Sequence, residues 1–175
     1  MSSGAADEFD AFYGARAPTL VRMIYLRTGD LTRAQDCVQE AFTRAWLKWP
    51  TLQSGPDPVA WVRTVAWNLA VTDWRSRRRA RARDEGWRVE GAAQPLPIAE
   101  VVAVREALQD LPAHQQAAII LHYFEDLSIA EISAMTGKPT GTIKSNLHRA
   151  RLALRAQLDD TTDPVPDTTT KAGTS

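Results

Sequence analysis

Residues 126–154 constrain the fold of this chain more than any other segment, because they combine a helix start, a sharp break and a second helix. They read DLSIAEISAMTGKPTGTIKSNLHRARLAL. Ser128 followed by Glu131 predicts a capping box, in which a hydroxyl and a carboxylate satisfy free N–H groups at a helix start. Gly137 can adopt the left-handed conformation that a tight turn requires. The segment therefore predicts two helices joined by a turn.

The second of these helices carries a one-sided basic stripe. It begins near Thr142, and residues 136–158 contain five Lys or Arg and no acid. In a helix-turn-helix, one helix braces the motif while the other presents its N-terminal polar residues to the DNA major groove. An ordinary surface helical hairpin has the same apolar spacing, but the charge of a single sign favours DNA binding.

The net charge of this 175-residue chain is zero, yet its charges are segregated. Residues 61–90 contain eight Arg against four acids, and residues 91–135 contain one Arg against six acids. Alternating basic and acidic blocks indicate separate surfaces for nucleic acid and for protein partners.

Several classes of protein are disfavoured by the composition. Cys37 is the single cysteine, so an internal disulfide is excluded and a reducing cytoplasm is the expected compartment. No apolar run is long enough to cross a membrane, and the polar start is not a signal peptide. The three His are scattered, and no Gly-rich phosphate loop or nucleophile elbow occurs. We therefore expect no membrane insertion, no metal or other cofactor, and no enzymatic activity.

Apolar spacing predicts helices along nearly the whole chain and an all-α fold. The expected helices are residues 7–15 (interrupted near Pro18), 20–29, 30–49, 59–81, 98–109 and 112–124, followed by the helix-turn-helix. A loop is expected at residues 50–58, which contain three Pro and one Gly.

Two small helical domains joined by a flexible linker follow from this pattern. The first domain covers residues 7–83, the linker 84–97, and the second domain, with the helix-turn-helix, 98–158. Residues 159–175 are rich in Thr, Asp and Pro, which predicts a disordered tail.

Three sequence blocks, in this order and spacing, resemble the extracytoplasmic-function (group 4) sigma factors of bacterial RNA polymerase. The blocks are DLTRAQDCVQEAFTRAW, PDPVAWVRTVAWNLAVTDWRSRRR and LPAHQQAAIILHYFEDLSIAEISAMTGKPTGTIKSNLHRARLAL, within residues 9–158. The resemblance implies a subunit that binds core RNA polymerase and directs promoter-specific initiation. Its first domain would bind and open the −10 promoter element, and its second domain would bind the −35 element.

The resemblance also implies protein partners. Asp36, Gln39, Glu40 and Thr43 match the family surface that docks on the clamp-helix coiled coil of the polymerase β′ subunit. Without the resemblance, these would be ordinary solvated helix residues. The helix before the helix-turn-helix is implied to contact the flap of the β subunit, and an anti-sigma factor is implied as an inhibitory partner.

For the −10 element, Asn68 matches the position where the family lines a pocket for a flipped base. Trp67 and Trp74 are candidates for stacking on melted DNA, although each could instead fill the core. Trp67 stands where the family frequently has Arg, so base preference is not carried over. The DNA backbone would follow a basic track that includes Arg75, Arg77, Arg78 and Arg79.

For the −35 element, Lys144, Ser145 and Arg149 match the family contacts. Thr142 at the helix start and Arg151 lie nearby, and Asn146 is a further candidate because Asn can pair with adenine. The remaining question, which of these residues bind phosphates and which read bases, is left open by the sequence.

Two other functions fit parts of the sequence. A free-standing helix-turn-helix regulator would bind duplex DNA without polymerase, but it has little use for Asn68 beside aromatic residues and an Arg-rich helix. A sigma-like antagonist would retain polymerase docking and lose DNA reading, which the basic recognition helix argues against.

Overall fold

A computed structural model describes the backbone of residues 3–83 and 99–161 and the side chains of residues 4–72 and 99–157. Within these ranges the chain is helical and contains no strand, as predicted. The α-helices are α1 (Ser3–Thr28), α2 (Leu31–Leu47), α3 (Trp49–Leu52), α4 (Pro58–Arg83), α5 (Ala99–Gln109), α6 (Ala113–Ile119), α7 (Ile129–Thr136) and α8 (Thr140–Thr161). A π-helical segment, Ile120–Phe124, follows α6 directly.

Helix α1 runs without interruption although Pro18 lies inside it, so the predicted break was wrong. Proline removes the hydrogen bond to the carbonyl four residues back, which belongs to Gly14. Both residues are exposed, and that carbonyl can be hydrated. Phe9 before the proline and Leu20 after it are buried in the same core, which holds the two parts in line.

Helix α2 is the amphipathic helix that the sequence predicted, shortened at its C-terminal end. It begins after Asp30, whose carboxylate accepts the backbone N–H of Arg33 at 3.1 Å. It ends at Leu47, and Trp49 instead opens α3, which lies partly in the expected loop. The α2 residues that face the core are Ala34, Val38, Ala41, Phe42 and Ala45.

The first domain has its core between α1, α2 and α4. Phe9 lies at the centre of an aromatic cluster, with its ring centroid 6.1 Å from Phe42, 4.9 Å from Trp46 and 5.0 Å from Trp49. Such pairs are stabilising beyond the area they bury. They fix α2 firmly against α1, so the opposite face of α2 is a rigid surface.

The second domain packs α5, α6 and α7 around α8 and contains the predicted helix-turn-helix. Both hydrogen bonds of the capping box form: the Glu131 backbone donates to Ser128 Oγ at 3.2 Å, and the Ser128 backbone donates to Glu131 Oε2 at 2.8 Å. Gly137 is left-handed, with φ +67°. Ser133 Oγ also donates to the Lys138 carbonyl at 2.6 Å, which closes the turn.

Other boundaries differ from the expectation. The predicted helix over residues 112–124 turns from α to π geometry at Ile120, and Pro112 precedes α6 as its cap. Helix α8 starts at Thr140 and continues to Thr161, three residues into the segment predicted as a tail. The proposed linker at residues 84–97 lies outside the described residues. No helix in the described parts of the chain has the length and hydropathy needed to span a membrane.

Candidate polymerase-docking and DNA-contacting surfaces

Helix α2 turns a polar face away from the first domain's core. Asp36, Gln39, Glu40 and Thr43 are all exposed on it, and we call them the docking strip. Thr43 Oγ1 donates to the backbone carbonyl of Gln39 at 2.9 Å. Glu40 pairs with Arg44 at 2.8 Å, but both side chains are about half exposed, so the pair is weak. The strip is therefore acidic, solvated and held on a rigid helix.

Leu47 extends the docking strip, and the sequence analysis missed it. Its side chain is 78% exposed, more than that of any other large hydrophobic residue among those described. Residues 36, 40, 43 and 47 are spaced by four, three and four, so they form one seam along a helix. An apolar residue at a position of a polar seam is the sequence signal that could have identified it.

Helix α4 carries the candidate −10 residues, and they differ in exposure. Asn68 is exposed. Trp67 is 3% exposed, with the Arg27 guanidinium 6.0 Å from its ring centre, so in this arrangement it fills the core and offers no face to a base. Trp74 and the predicted Arg track have their side chains outside the described residues.

Helix α8 presents most of the candidate −35 residues to solvent. Ile143, Leu147 and Ala150 are buried, which turns the opposite face outward. On that face Thr142, Lys144, Arg149 and Arg151 are exposed, and Ser145 is half-buried. Asn146 is 7% exposed and does not belong to the solvated face.

The two domains bring candidate −10 and −35 residues to one cavity, which the sequence did not predict. The cavity has a volume of about 670 Å³. Asn68 and Trp67 line it from the first domain, and Asn146 and Thr142 line it from the second. Asn68 and Asn146 thus occupy the walls of a single cavity between the domains.

An ion pair joins the two domains at a second, smaller cavity of about 210 Å³. Arg63 Nε of α4 lies 3.1 Å from Glu125 Oε2, directly after the π segment, and the two side chains are 14% and 6% exposed. Burial raises the pKa of Glu125 above its ordinary value, and this effect exceeds the lowering by Arg63 and then by Arg22. Asp126 raises the pKa slightly further. The carboxylate is therefore desolvated but partnered.

No group of three or more His, Cys, Asp or Glu side chains is placed to hold a metal ion in the parts of the chain that the structure describes.

Comparison with known proteins assigns both domains. Residues 12–80 match Sigma-70 region 2, and residues 102–154 match Sigma-70, region 4. The chain is 36% identical over 163 residues to the ECF RNA polymerase sigma factor EcfG of Rhodopseudomonas palustris, covering 90% of each chain. It belongs to the ECF RNA polymerase sigma factors.

Further similarities extend over nearly all of this ECF sigma factor. It is 34% identical over 172 residues to the ECF sigma factor SigL of Mycobacterium tuberculosis, covering 91% of this chain and 96% of SigL. Its fold is similar to that of the sigma factor RpoE from Bartonella quintana, solved in complex with the anti-sigma factor NepR. That similarity has a TM-score of 0.73 at 28% identity and covers 87% of this chain and 97% of RpoE.

Proposed function

We propose that this ECF sigma factor binds core RNA polymerase and directs initiation at a specific set of promoters. Residues 7–83 would bind and open the −10 element, residues 98–158 would bind the −35 element, and residues 84–97 would link them. The observation that carries the proposal is the presence of both sigma regions, in order, in one chain. A free-standing regulator would need only the second.

Core polymerase would dock on α2 through Asp36, Gln39, Glu40 and Thr43, with Leu47 as an apolar anchor at the end of the seam. The partner would be the coiled coil of the β′ clamp helices, and the second domain would contact the β flap. Interfaces depend on a few well-packed anchors surrounded by polar contacts. The exposed Leu47 beside an acidic strip has this composition.

At the −10 element, Asn68 would read a flipped base. Its amide offers a donor and an acceptor together, as a base edge requires. Flipping costs a few kcal/mol, which the binding free energy would offset. Trp67 and Trp74 would stack on bases, Trp67 only after it leaves its buried position, and Arg75, Arg77, Arg78 and Arg79 would follow the backbone.

At the −35 element, the exposed basic face of α8 would enter the major groove. Lys144 and Arg149 are the central contacts, and Thr142, Ser145 and Arg151 support them. Asn146 could reach DNA only when the cavity between the domains opens. Basic side chains at such positions contribute both phosphate binding and base reading.

The role requires no catalysis by the sigma factor itself, because strand opening is driven by binding. We place the protein in the cytoplasm, where bacterial RNA polymerase works. An anti-sigma factor is proposed as its inhibitor, since the related RpoE was solved with one.

Run-off transcription with purified core polymerase tests the proposal, comparing wild type with Asn68→Ala over a promoter library. Core-dependent transcription from a restricted set of promoters, reduced in the variant, is expected. Gln53→Ala, which removes an exposed amide elsewhere in the first domain, is the matched control and should leave transcription unchanged. Duplex binding without core, together with no transcription from any promoter, would contradict the proposal.

A further inference from the structure

The larger cavity contains a buried amide that has no hydrogen-bond partner among the described residues. The amide belongs to Asn146, which lines the cavity and is 7% exposed. Gln116, a buried amide of the same domain, instead donates to the Leu111 carbonyl at 2.9 Å. Leaving a buried amide unpaired is unfavourable, because it loses its bonds to water and gains none in return. Asn146 therefore indicates a ligand that supplies the missing hydrogen bonds.

The cavity has the size and the lining of a small-molecule site. Its volume is about 670 Å³, and ligand sites commonly occupy roughly 300–1,000 Å³, often at a domain interface. Apolar side chains from both domains form part of its wall: Trp67, Val71, Ala117, Leu121, Ile132 and Ile143. An apolar wall with a few polar groups suits a ligand that contains a ring.

The formal charges in the lining are all positive. Arg27 at the end of α1 and Lys138 in the turn before α8 each contribute a cation. None of the described residues that line the cavity is Asp or Glu. Arg27 is only 9% exposed, so solvent screens its charge poorly. The lining therefore favours an anionic ligand.

Helix α8 places an anion-binding position and the unpaired amide one turn apart. The helix begins at Thr140, and Thr142 in its first turn lines the cavity. The first N–H groups of a helix have no partner within it, and the helix dipole adds positive potential there, so a phosphate binds favourably. Asn146 lies four residues after Thr142, which is about 6 Å along the axis on the same side. One nucleotide can therefore reach both positions.

We propose that this cavity binds an adenine nucleotide, with its phosphates at the start of α8 near Arg27 and Lys138 and its base at Asn146. An Asn amide offers a donor and an acceptor together, which matches the N6 and N7 positions of adenine. The apolar wall packs against the ring. Arg27 and Lys138 neutralise the phosphates from opposite domains, so the nucleotide contacts both.

A nucleotide in this cavity would compete with promoter DNA. Asn68 and Thr142 line the same cavity, and the proposed function assigns them to the −10 and −35 elements. The bound nucleotide would cover both side chains, so nucleotide and promoter DNA would exclude each other. This consequence rests on the proposed function, whereas nucleotide binding by the free chain does not.

Equilibrium dialysis of the full chain against radiolabelled ATP, with neither polymerase nor DNA present, tests the proposal. We expect saturable binding of one ATP per chain. Adenosine and tripolyphosphate each carry only part of the recognised chemistry, so each should compete at least about tenfold more weakly than unlabelled ATP. GTP should also compete more weakly, because guanine presents two acceptors where adenine presents a donor and an acceptor.

Two variants locate the site. Asn146→Leu keeps the side-chain volume and removes the amide, so it should weaken ATP binding at least about tenfold. Its melting temperature should stay the same or rise, because an unpaired buried amide has been replaced. Arg27→Met should also weaken ATP binding about tenfold or more, since it removes a buried cation. Gln116→Leu is the matched control: it removes a buried amide that has a partner, so it should lower the melting temperature and leave ATP affinity unchanged.

Several results would overturn the nucleotide site. They are the absence of saturable ATP binding, an ATP affinity unchanged in Asn146→Leu, or a melting temperature that this substitution lowers. Competition by tripolyphosphate or GTP as strong as that by ATP would also overturn it, since the adenine base would then not be recognised. Each of these can occur with normal promoter-specific transcription. ATP binding that responds as expected, with no transcription from any promoter, would instead reject the proposed function and leave the nucleotide site intact.

Discussion

The sequence predicted the exposed face of α2 that forms the docking strip, but it did not predict the contact between the domains. Every residue of the strip lies on one helix within twelve positions, and its exposure follows from the spacing of Ala34, Val38 and Phe42 on the opposite face. The interdomain ion pair joins Arg63 to Glu125, which belong to different domains. No periodicity links them. Local periodicity specifies which face of a helix is free, whereas domain packing decides which free faces meet.

The two surfaces should therefore respond differently when altered. Damage to the strip should weaken core binding, whereas damage to the interdomain contact should leave the strip itself intact. The following predictions test this difference, beginning with the largest expected effect.

Reversing the strip's charge should affect core binding most. Asp36→Lys with Glu40→Lys should weaken affinity for core polymerase by about 100-fold or more, because like charges across an interface cost several kcal/mol. Equilibrium binding to labelled core measures this. Asp7→Lys with Asp10→Lys makes the same change of net charge at exposed positions of α1 and should have little effect. Equal losses of core affinity for the two pairs of substitutions would show that only the net charge of the protein affects core binding.

Removing the basic face of α8 should abolish promoter selection while sparing core binding. Lys144→Ala with Arg149→Ala should reduce transcription from a promoter with a −35 element by roughly 30-fold or more, since each such contact contributes about 1–3 kcal/mol. The control is the same promoter with its −35 element scrambled, on which wild type and variant should be equally weak. A variant that keeps both promoter selection and core binding would rule out α8 as the recognition helix.

Truncating the apolar end of the strip should have a moderate effect. Leu47→Ala should weaken core binding by about 5- to 20-fold. The wild-type Leu side chain would be buried at the interface, and the variant loses the apolar contacts that it makes there. Leu152→Ala is the matched control, since Leu152 is 56% exposed on α8. Leu47 lies outside the interface if neither Leu47→Ala nor Leu152→Ala changes core affinity while the charge reversal at Asp36 and Glu40 abolishes core binding.

The sequence predicted what is determined locally. The Ser128–Glu131 capping box, the left-handed Gly137 and the amphipathic α2 each depend on residues within one or two turns, and the structure contains all three. The proline rule failed at Pro18 because a core formed from distant helices holds both parts of α1 in line. Leu47 was passed over because an isolated exposed Leu is common on protein surfaces.

The rest depends on tertiary packing. The side chains of Asn146 and Trp67 are of types suited to contacting DNA. Their residue types give no indication that both are buried beside a cavity shared by the two domains. The π segment after α6, which Glu125 directly follows, likewise has no signature in the spacing of its residues. Such features require the arrangement of several helices at once.

The smallest predicted effect is a dependence of the contact between the domains on pH. When the domains are apart, Glu125 is solvated and has its ordinary pKa near 4.5, and when they are packed together burial raises that pKa. The packed arrangement then binds more protons between these two values, so its population should rise as pH falls through the raised value and become constant below the ordinary one. Lower pH therefore favours the packed arrangement, because the buried carboxylate costs more in desolvation than it gains from Arg63.

The groups that face Glu125 make this sign testable. They are Arg63, Arg22 and the neighbouring acid Asp126. Energy transfer between dyes at Asp10→Cys on α1 and Ala130→Cys on α7, both exposed positions, in a Cys37→Ser background and measured from pH 7.5 to pH 4.5, should show the rise in wild type. Glu125→Gln should remove it, while contributions from other groups would persist in that variant. A pH response that is unchanged in Glu125→Gln, or that runs toward opening at low pH, would mean that the buried carboxylate does not control the contact.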